Sequence, residues 1–380
     1  MTEVLLWLCI IVVIYVYFVY PLFILILSKC RPAPHVLNAH IRPDVSLIIT
    51  AYNEEKVISQ KIDNSLLLDY PSEDIEIIVV SDGSTDSTNE IVRGYRDQGV
   101  KLVSLETNQG KSAAQNCAMA EAHGEIIIFT DADVLLQHDA IRKVIRNFAD
   151  SAVGCTIGKI SYTNIGDTPV SEGEGIYWRY EQFLREKESE AGNFSMGSGF
   201  MAIRRTLLQP INPDVGEDFV LPMQAVISGF RVIYESEAVS ETILHQSAAT
   251  DMFRTKVRVI SKDLRGLLYC RSILNPIRYP LYSWGLISHK LLRWLVPYFL
   301  IIIFITNLLL LHMFIYIVIF IVQMTFYLSA LICYISQKYG KSLSICKIPF
   351  SFCLVNIAAL VGVARFFMGK KSGQWEPVRR

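Results

Sequence analysis

The residues of this chain that could do chemistry come in short polar runs, each set directly after an apolar one. Asp131-Ala-Asp133 follows Glu125-Ile-Ile-Ile-Phe-Thr130. Two carboxylates at the end of such a run can reach one hard cation, Mg2+ or Mn2+, an ion that takes oxygen ligands and usually keeps places for substrate phosphates. Ser81-Asp-Gly-Ser-Thr-Asp86 follows Ile75–Val80. Asp82 in that run can accept hydrogen bonds from a nucleotide base or ribose, or close an Asx turn. Ala51-Tyr52-Asn53-Glu54 follows Val45–Thr50 and can line a base pocket. Gly110-Lys-Ser112 is not the end of a P-loop, because that motif needs a glycine where Leu105 stands; Lys111 remains a candidate phosphate contact. Glu217-Asp218 follows Pro213 and Gly216 and opens a helical stretch, Phe219–Ser228. Acidic residues there suit the helix dipole, and a carboxylate beside a sugar donor is also the general base that an acceptor hydroxyl requires.

The elements that must position these groups alternate. Val45–Thr50, Ile75–Val80, Val100–Leu105 and Glu125–Thr130 read as strands, and Glu54–Leu68, Ser87–Asp97 and Lys111–Ala122 as helices between them. Ser87-Thr-Asn-Glu90 has the spacing of a capping box. Nearly continuous apolar strands alternating with helices imply a parallel sheet covered on both faces. Ligands of such sheets bind past the carboxyl ends of the strands, and all four polar runs should fall on that edge. Four in order point to a nucleotide-linked substrate.

Of the 380 residues, 52% are hydrophobic and 19% charged, too apolar for an ordinary soluble protein, in which charged residues make up about 25%. Residues 42–246 hold 17 Lys/Arg against 32 Asp/Glu, and the remainder 19 against 4. An acidic domain is joined to a basic, apolar remainder. Val4–Leu27 has no charge and as a helix would reach about 36 Å, enough to cross a bilayer; Pro21 should kink it. Trp294–Gln337 has none either and is long enough for a hairpin turning near Leu311–Phe314. Ile348–Met368 is a further candidate, interrupted by Asn356 and Arg365. Lys29 and Arg31 after the first span, and Lys338, Lys341 and Lys347 after the hairpin, place the acidic domain in the cytosol. Lys370, Lys371, Arg379 and Arg380 ask for the same side, whereas a full crossing by 348–368 would put them on the other; both alternatives stand. The resulting division is an N-terminal transmembrane helix over 1–28, a cytosolic domain over 42–250, basic interface helices over 251–290, a hairpin over 291–337, a membrane segment over 348–368 and a basic tail over 369–380. The eight cysteines include no CxxC pair, so neither a disulfide nor a zinc site is expected.

Arg254–Arg293 carries nine Lys/Arg and one acid, Asp263, with Val257, Ile260, Leu264, Leu267 and Leu268 at helical spacing. That pattern is a basic amphipathic helix lying on the membrane surface in contact with lipid. Arg258 is the residue there that could also neutralise a diphosphate leaving group. The basic stripe abuts membrane spans and the soluble domain is acidic, which disfavours nucleic acid as a partner.

These motifs together resemble membrane-integrated family 2 glycosyltransferases of the GT-A fold, a group that includes hyaluronan, cellulose and poly-N-acetylglucosamine synthases. The resemblance rests on Ala51-Tyr-Asn-Glu-Glu55, Val80-Ser-Asp-Gly-Ser-Thr-Asp86, Asn108-x-Gly-Lys111, Asp131-x-Asp133, Gly197-x-Gly199 with Ala202-x-Arg-Arg205, Glu217-Asp218, Trp178-Arg-Tyr-Glu181 and Trp375-Glu-Pro377. It implies an α/β GT-A (Rossmann-like) cytosolic domain with transmembrane and interfacial α-helices, in the cytoplasmic (inner) membrane. It implies inverting, metal-dependent transfer from a UDP-sugar to a glycan or lipid-linked acceptor in exopolysaccharide or cell-envelope glycan synthesis. By the same resemblance Asp82 contacts uracil, Lys111 a phosphate or ribose, Asp133 the metal-bound diphosphate with Asp131 beside it, and Asp218 is the base with Glu217 next to it. Gly197–Arg205 would shape the acceptor site. Processive members carry Q-x-x-R-W where this chain has Thr255-Lys-Val-Arg258-Val259: the arginine matches, the glutamine and the stacking tryptophan do not.

Overall fold

The computed structural model describes residues 1–30, 37, 40–163, 169–192, 194–197, 199–242, 249–338 and 346–369. The basic tail from Lys370 on, with Trp375–Pro377, lies outside the described residues, as do Arg31, Lys341 and Ser198. The chain opens with α1 (Thr2–Ile14) and α2 (Tyr20–Cys30), joined by a π-helical turn over Tyr15–Val19. That turn falls just before Pro21, whose missing N–H cannot continue the regular ladder.

An α/β unit follows: β1 (Val45–Ala51), α3 (Ile58–Leu66), β2 (Ile75–Ser81), α4 (Thr88–Arg93), β3 (Val100–Ser104), α5 (Lys111–Ala120) and β4 (Ile126–Asp131). Then come β5 (Leu135–Leu136), α6 (Ala140–Ile145), β6 (Val153–Tyr162), α7 (Pro169–Gly192), β7 (Met201–Arg204), α8 (Glu217–Ile227) and β8 (Arg231–Thr242). The eight strands form one sheet in the order β3-β2-β1-β4-β7-β6-β8-β5. The first four in that order are parallel, as the sequence pattern implies, but β7 runs antiparallel to both β4 and β6, so the sheet is mixed.

Period-two alternation buries both faces of the sheet. Ile48, Ile78, Val80, Ile127 and Phe129 enter one core, and Leu47, Ile49, Val79, Ile126 and Ile128 enter the other. The first core is continuous with Tyr20, Ile24, Trp294, Ala359 and Val363 of the apolar helices. One face of the sheet is thereby welded to the membrane-type part of the chain.

That part consists of α9 (Ala249–Tyr269), α10 (Pro280–Leu286), α11 (Leu292–Leu309), α12 (Phe314–Lys338) and α13 (Lys347–Phe367). Four helical stretches are long and apolar enough to cross a membrane: Thr2–Cys30, Pro280–Leu309, Phe314–Ser336 and Lys347–Phe367. The second begins well before Trp294, where the sequence reading placed its start. Lys290 and Arg293 do not end it, because they are neutralised inside the protein: both ion-pair with Glu181 of α7, at 2.9 and 3.2 Å. His289 sits between Glu181 and Glu188, and Tyr20 of α2 donates its hydroxyl to Glu188. A buried polar knot thus ties the first and second apolar stretches to α7.

Several helices start later than their sequence pattern. α3 begins at Ile58 rather than Glu54, because Asn53 adopts a left-handed conformation (φ 53°) and the chain turns before the helix starts. The expected capping box does not form: Ser87 makes no side-chain cap bond. Asp86 takes that task, accepting from the Thr88 N–H at 3.0 Å and from its hydroxyl.

Gly83 (φ 67°) is a position where only glycine fits. A Cβ there would lie 2.4 Å from the Thr107 carbonyl carbon, since the 107–110 loop crosses directly over it. Gly83→Ala should cost about 2 kcal/mol or more through strain and collision, read as a lowered midpoint in thermal unfolding of the solubilised protein.

Candidate active site

The strand register gathers the polar runs. Ala51 pairs with Ser81, Ser81 with Ser104, and Thr50 with Asp131. The parallel strands β1 to β4 therefore end level, and the loops that follow them share one edge of the sheet.

Those loops are stitched together by their own polar groups. The Asn53 amide oxygen accepts from the Thr85 N–H at 2.8 Å, and the Asn53 N–H donates to Ser84 Oγ. The Glu54 N–H donates to Thr88 Oγ1, the Glu55 N–H donates to Asp86 Oδ2, and the Ser87 N–H donates to Glu55 Oε2 across the same gap. Asp82 is fully buried, and its two oxygens accept the Gln109 and Gly110 N–H groups, each at 2.8 Å. Burial raises the Asp82 pKa, with those two N–H groups pulling it down. Among the four residues expected to line a base pocket, Ala51 is buried in the sheet, Glu54 is 2% exposed, and Asn53 is engaged with the neighbouring loop. Tyr52 and Asn53 are half-buried. Asp82 and Asn53 thus fix the shapes of loops, a role that a residue type alone does not reveal.

A second group converges from more distant parts of the chain. Lys111, the first residue of α5, holds Asp131 at 2.7 Å and Glu217 at 2.9 Å. Lys111 is thus paired with two carboxylates. Asp218 stands next to Glu217 in the first turn of α8, and α5 fixes the approach to that turn. Asn116 brackets Ile211 with a pair of hydrogen bonds, at 2.8 and 2.7 Å, and Ser112 reaches the Val215 carbonyl. Gly197 and Gly199 lie between the acids. A Cβ on Gly197 would meet Asp218 Oδ2 at 3.8 Å, and one on Gly199 would meet Asp131 Oδ2 at 3.4 Å. Arg258 comes from α9, half-buried, with Glu217, Asp218 and Asp131 the carboxylates that favour its charge.

The electrostatics separate the acids. Burial and the adjacent Glu217 charge push the Asp218 pKa above its ordinary value, against Lys111, Arg185 and Lys290. Burial works the same way on Glu217, but Lys111 and a backbone N–H outweigh it and hold that group below the usual range. Asp131 is raised, chiefly by burial, with Lys111 opposing.

Two neighbours escaped sequence reading. Lys61 on α3 is fully buried behind the Asp131–Asp133 turn and donates to Thr130 Oγ1 at 3.2 Å and to the Val134 carbonyl. Burial drops its pKa to about 7, with Asp131 and Asp133 pulling upward. Nothing in a mixed helical stretch marks such a lysine as inward-facing. Asp263 is the other. Its signal was available, as the single acid in the basic run Arg254–Arg293.

Among the described residues, no group of three or more His, Cys, Asp or Glu side chains could cage a metal by itself. Asp131 and Asp133 offer two hard carboxylates on one tight turn. That donor set suits a divalent cation completing its shell with phosphate oxygens and water, and not a closed structural site.

Residues 46–211 match the family model described as glycosyl transferase family 2. The probable glycosyltransferase YdaM of Bacillus subtilis is 28% identical over 215 residues, which are 52% of this chain and 50% of that protein. A poly-β-1,6-N-acetyl-D-glucosamine synthase of Staphylococcus epidermidis is 26% identical over 206 residues, 51% of this chain and 48% of that one. The chain spans about half the length of the curated relatives it matches. The solved structure of the mannosyltransferase PcManGT from Pyrobaculum calidifontis, in complex with GDP-Man and Mn2+, superposes with a TM-score of 0.75 at 20% identity. That superposition covers 97% of this chain and 100% of the other, so the two share a fold throughout.

Lys111→Met would leave Asp131 and Glu217 desolvated without their cation, at a cost of about 3 kcal/mol. With Lys111 gone, burial is the largest influence left on both acids, opposed on Glu217 only by a backbone N–H and Lys262, and their folded-state pKa values should rise above the unfolded ones. The destabilisation should then be largest at neutral pH and shrink as the pH falls through about 4, below which the unfolded carboxyls are protonated too. Unfolding followed as a function of pH in wild type and variant checks this.

Proposed function

The chain carries a family 2 glycosyltransferase domain of the GT-A fold, and we propose that it moves a sugar from a UDP-sugar, with inversion, onto a glycan or lipid-linked acceptor at the membrane surface. The setting is exopolysaccharide or cell-envelope glycan synthesis, with residues 42–250 on the cytosolic side of the cytoplasmic membrane. One observation carries the reading. Asp131, Lys111, Glu217, Asp218 and Arg258, drawn from one strand end and three helices, meet at the edge where parallel sheets bind ligands, directly against the basic helix α9.

Asp133, with Asp131 beside it, would hold Mg2+ or Mn2+, which supplies positive charge for the departing diphosphate. Tyr52 and the Asp82-anchored loop frame the nucleotide. Lys111 exchanges one carboxylate partner for a phosphate oxygen as the donor enters. Arg258 stabilises the negative charge that develops as the glycosidic bond breaks. Asp218 takes the proton of the acceptor hydroxyl, whose oxygen attacks the anomeric carbon from the face opposite the leaving group. The anomeric centre inverts in one step. Gly197 and Gly199, without side chains, leave room for the acceptor between Asp218 and Asp131.

The elevated pKa of Asp218 has a kinetic consequence. A base acts only when deprotonated, so transfer should fall with decreasing pH along a limb centred above the ordinary aspartate value of about 3.9.

α9 bears on processivity. Thr255 and Val259 stand where processive relatives have glutamine and tryptophan, and Val259 is 44% exposed with no aromatic face to offer an acceptor. This favours addition of one or a few sugars over a long polymer.

The decisive assay is nucleotide release from a panel of UDP-sugars, with GDP-mannose as the competing donor, with and without Mn2+ or Mg2+. Asp133→Ala should abolish metal-dependent turnover. Asp218→Asn should keep donor binding and lose transfer by about 10²–10⁴-fold; full turnover in that variant would remove Asp218 from the mechanism. Gel sizing of a radiolabelled product reads processivity: one band shifted by a single sugar is expected, and a ladder of long chains would mark a polymerase.

A further inference from the structure

One acid near the catalytic edge has no part in the scheme above. Asp263 sits on α9, in a run of nine cationic residues where it is the single acid. Its position is fixed by two glycines. A Cβ on Gly216, the residue before α8, would lie 3.0 Å from Asp263 Oδ1 and 3.2 Å from Asp218 Oδ1. Both carboxylates therefore press on the same small space, which is open only because Gly216 has no side chain. One turn farther along α9, a Cβ on Gly266 would lie 2.8 Å from Val220 Cγ2. A side chain there would push α9 off α8 and carry Asp263 away from Asp218.

We infer that Asp263 is a positioning residue for the transfer reaction: as a neutral carboxylic acid it faces ionised Asp218, donates a hydrogen bond to it and sets the direction in which Asp218 meets the acceptor. This rests on Asp218 being the base, as proposed above. Two carboxylates confined to one desolvated space cannot both ionise at ordinary pH, so the pair holds one proton. The surroundings decide which acid keeps it. Glu217 and Asp218 of α8 face Asp263 with negative charge, while Lys262 of α9 and Lys290 of the helical turn before α11 face it with positive charge. Lys290 is already held by Glu181 at 2.9 Å. Burial dominates, and the Asp218 charge adds to it, so Asp263 titrates well above the usual carboxylate range. Asp218 has Lys111 and Arg185 as well as Lys290 favouring its ionised form. The proton rests on Asp263 and the negative charge on Asp218.

The pH dependence separates this role from a merely structural one. Between the two titrations the pair is a monoanion and the enzyme is active. As pH rises through the Asp263 titration, a second negative charge appears beside Asp218 and the orienting hydrogen bond is lost, so kcat should fall. Asparagine can donate the same hydrogen bond but cannot titrate. Asp263→Asn should lower kcat at the wild-type optimum by a few fold, leave KM for the donor unchanged, and lose the descending limb. Above that limb the variant should outperform wild type. Asp263→Glu should restore a descending limb. Infrared difference spectra give a readout independent of turnover: wild type at neutral pH should show the band of a neutral carboxylic acid that Asp263→Asn lacks. An Asp263→Asn profile that superimposes on wild type after scaling, or a carboxylic acid band that persists in it, would overturn the inference. Transfer that survives in Asp218→Asn would instead overturn the proposed base itself, so the two failures are distinguishable.

Discussion

Crowded negative charge is the constraint around which this site is built. Asp131, Glu217, Asp218 and Asp263 close on a space walled by glycines and the ends of apolar strands, where their mutual repulsion is poorly screened. Lys111 makes the arrangement possible, since one ammonium at the start of α5 satisfies an acid from β4 and an acid from α8. Such an arrangement fits the function proposed above, in which crowded carboxylates would bind a metal and an ammonium tied to a carboxylate would pass to a diphosphate.

The second constraint is the coupling of the sheet to the apolar helices. The core on one face of the sheet runs without a break into side chains of α2, α11 and α13. The knot of Glu181, Glu188, His289, Lys290, Arg293 and Tyr20 ties α2 and the start of α11 to α7 with hydrogen bonds. α9 is clamped between the two parts: Gly266 meets α8 on one side, and Gly362 of α13 takes Ile260 and Val257 on the other. The position of Arg258 and Asp263 over the α8 acids is therefore set by packing against a helix of membrane-crossing length. In the transferase proposed above, this would set the height of Asp218 relative to the lipid surface.

Much of the framework was legible from residue order. The four parallel strands, the polar runs after them and the amphipathic α9 follow from periodicities of two and 3.6 and from charge-free runs. The reading was weaker wherever a polar side chain had a choice of partner. Asp82 and Asn53 carry the right chemistry to touch a nucleotide, yet both are bonded to backbone in adjoining loops. Asp86 rather than Ser87 caps α4. Lys61 looks like any solvated helix residue until the fold turns it toward Val134. The antiparallel insertion of β7 between β4 and β6 was equally hidden, because a short apolar run has no direction of its own.

What the sequence determined by itself is local: which segments bury their side chains, which stretches are long and apolar enough to cross a membrane, and which acids and bases stand at strand ends. These depend on spacing along one chain. What only the tertiary structure decided is which of those groups face one another. Lys111 meets Glu217 across more than a hundred residues, and Asp263 and Asp218 border the same space beside Gly216 because that residue has no side chain. Ion pairing and proton sharing depend on distances of a few ångströms in space, and sequence separation carries no information about them until the sheet register and the helix contacts have been set.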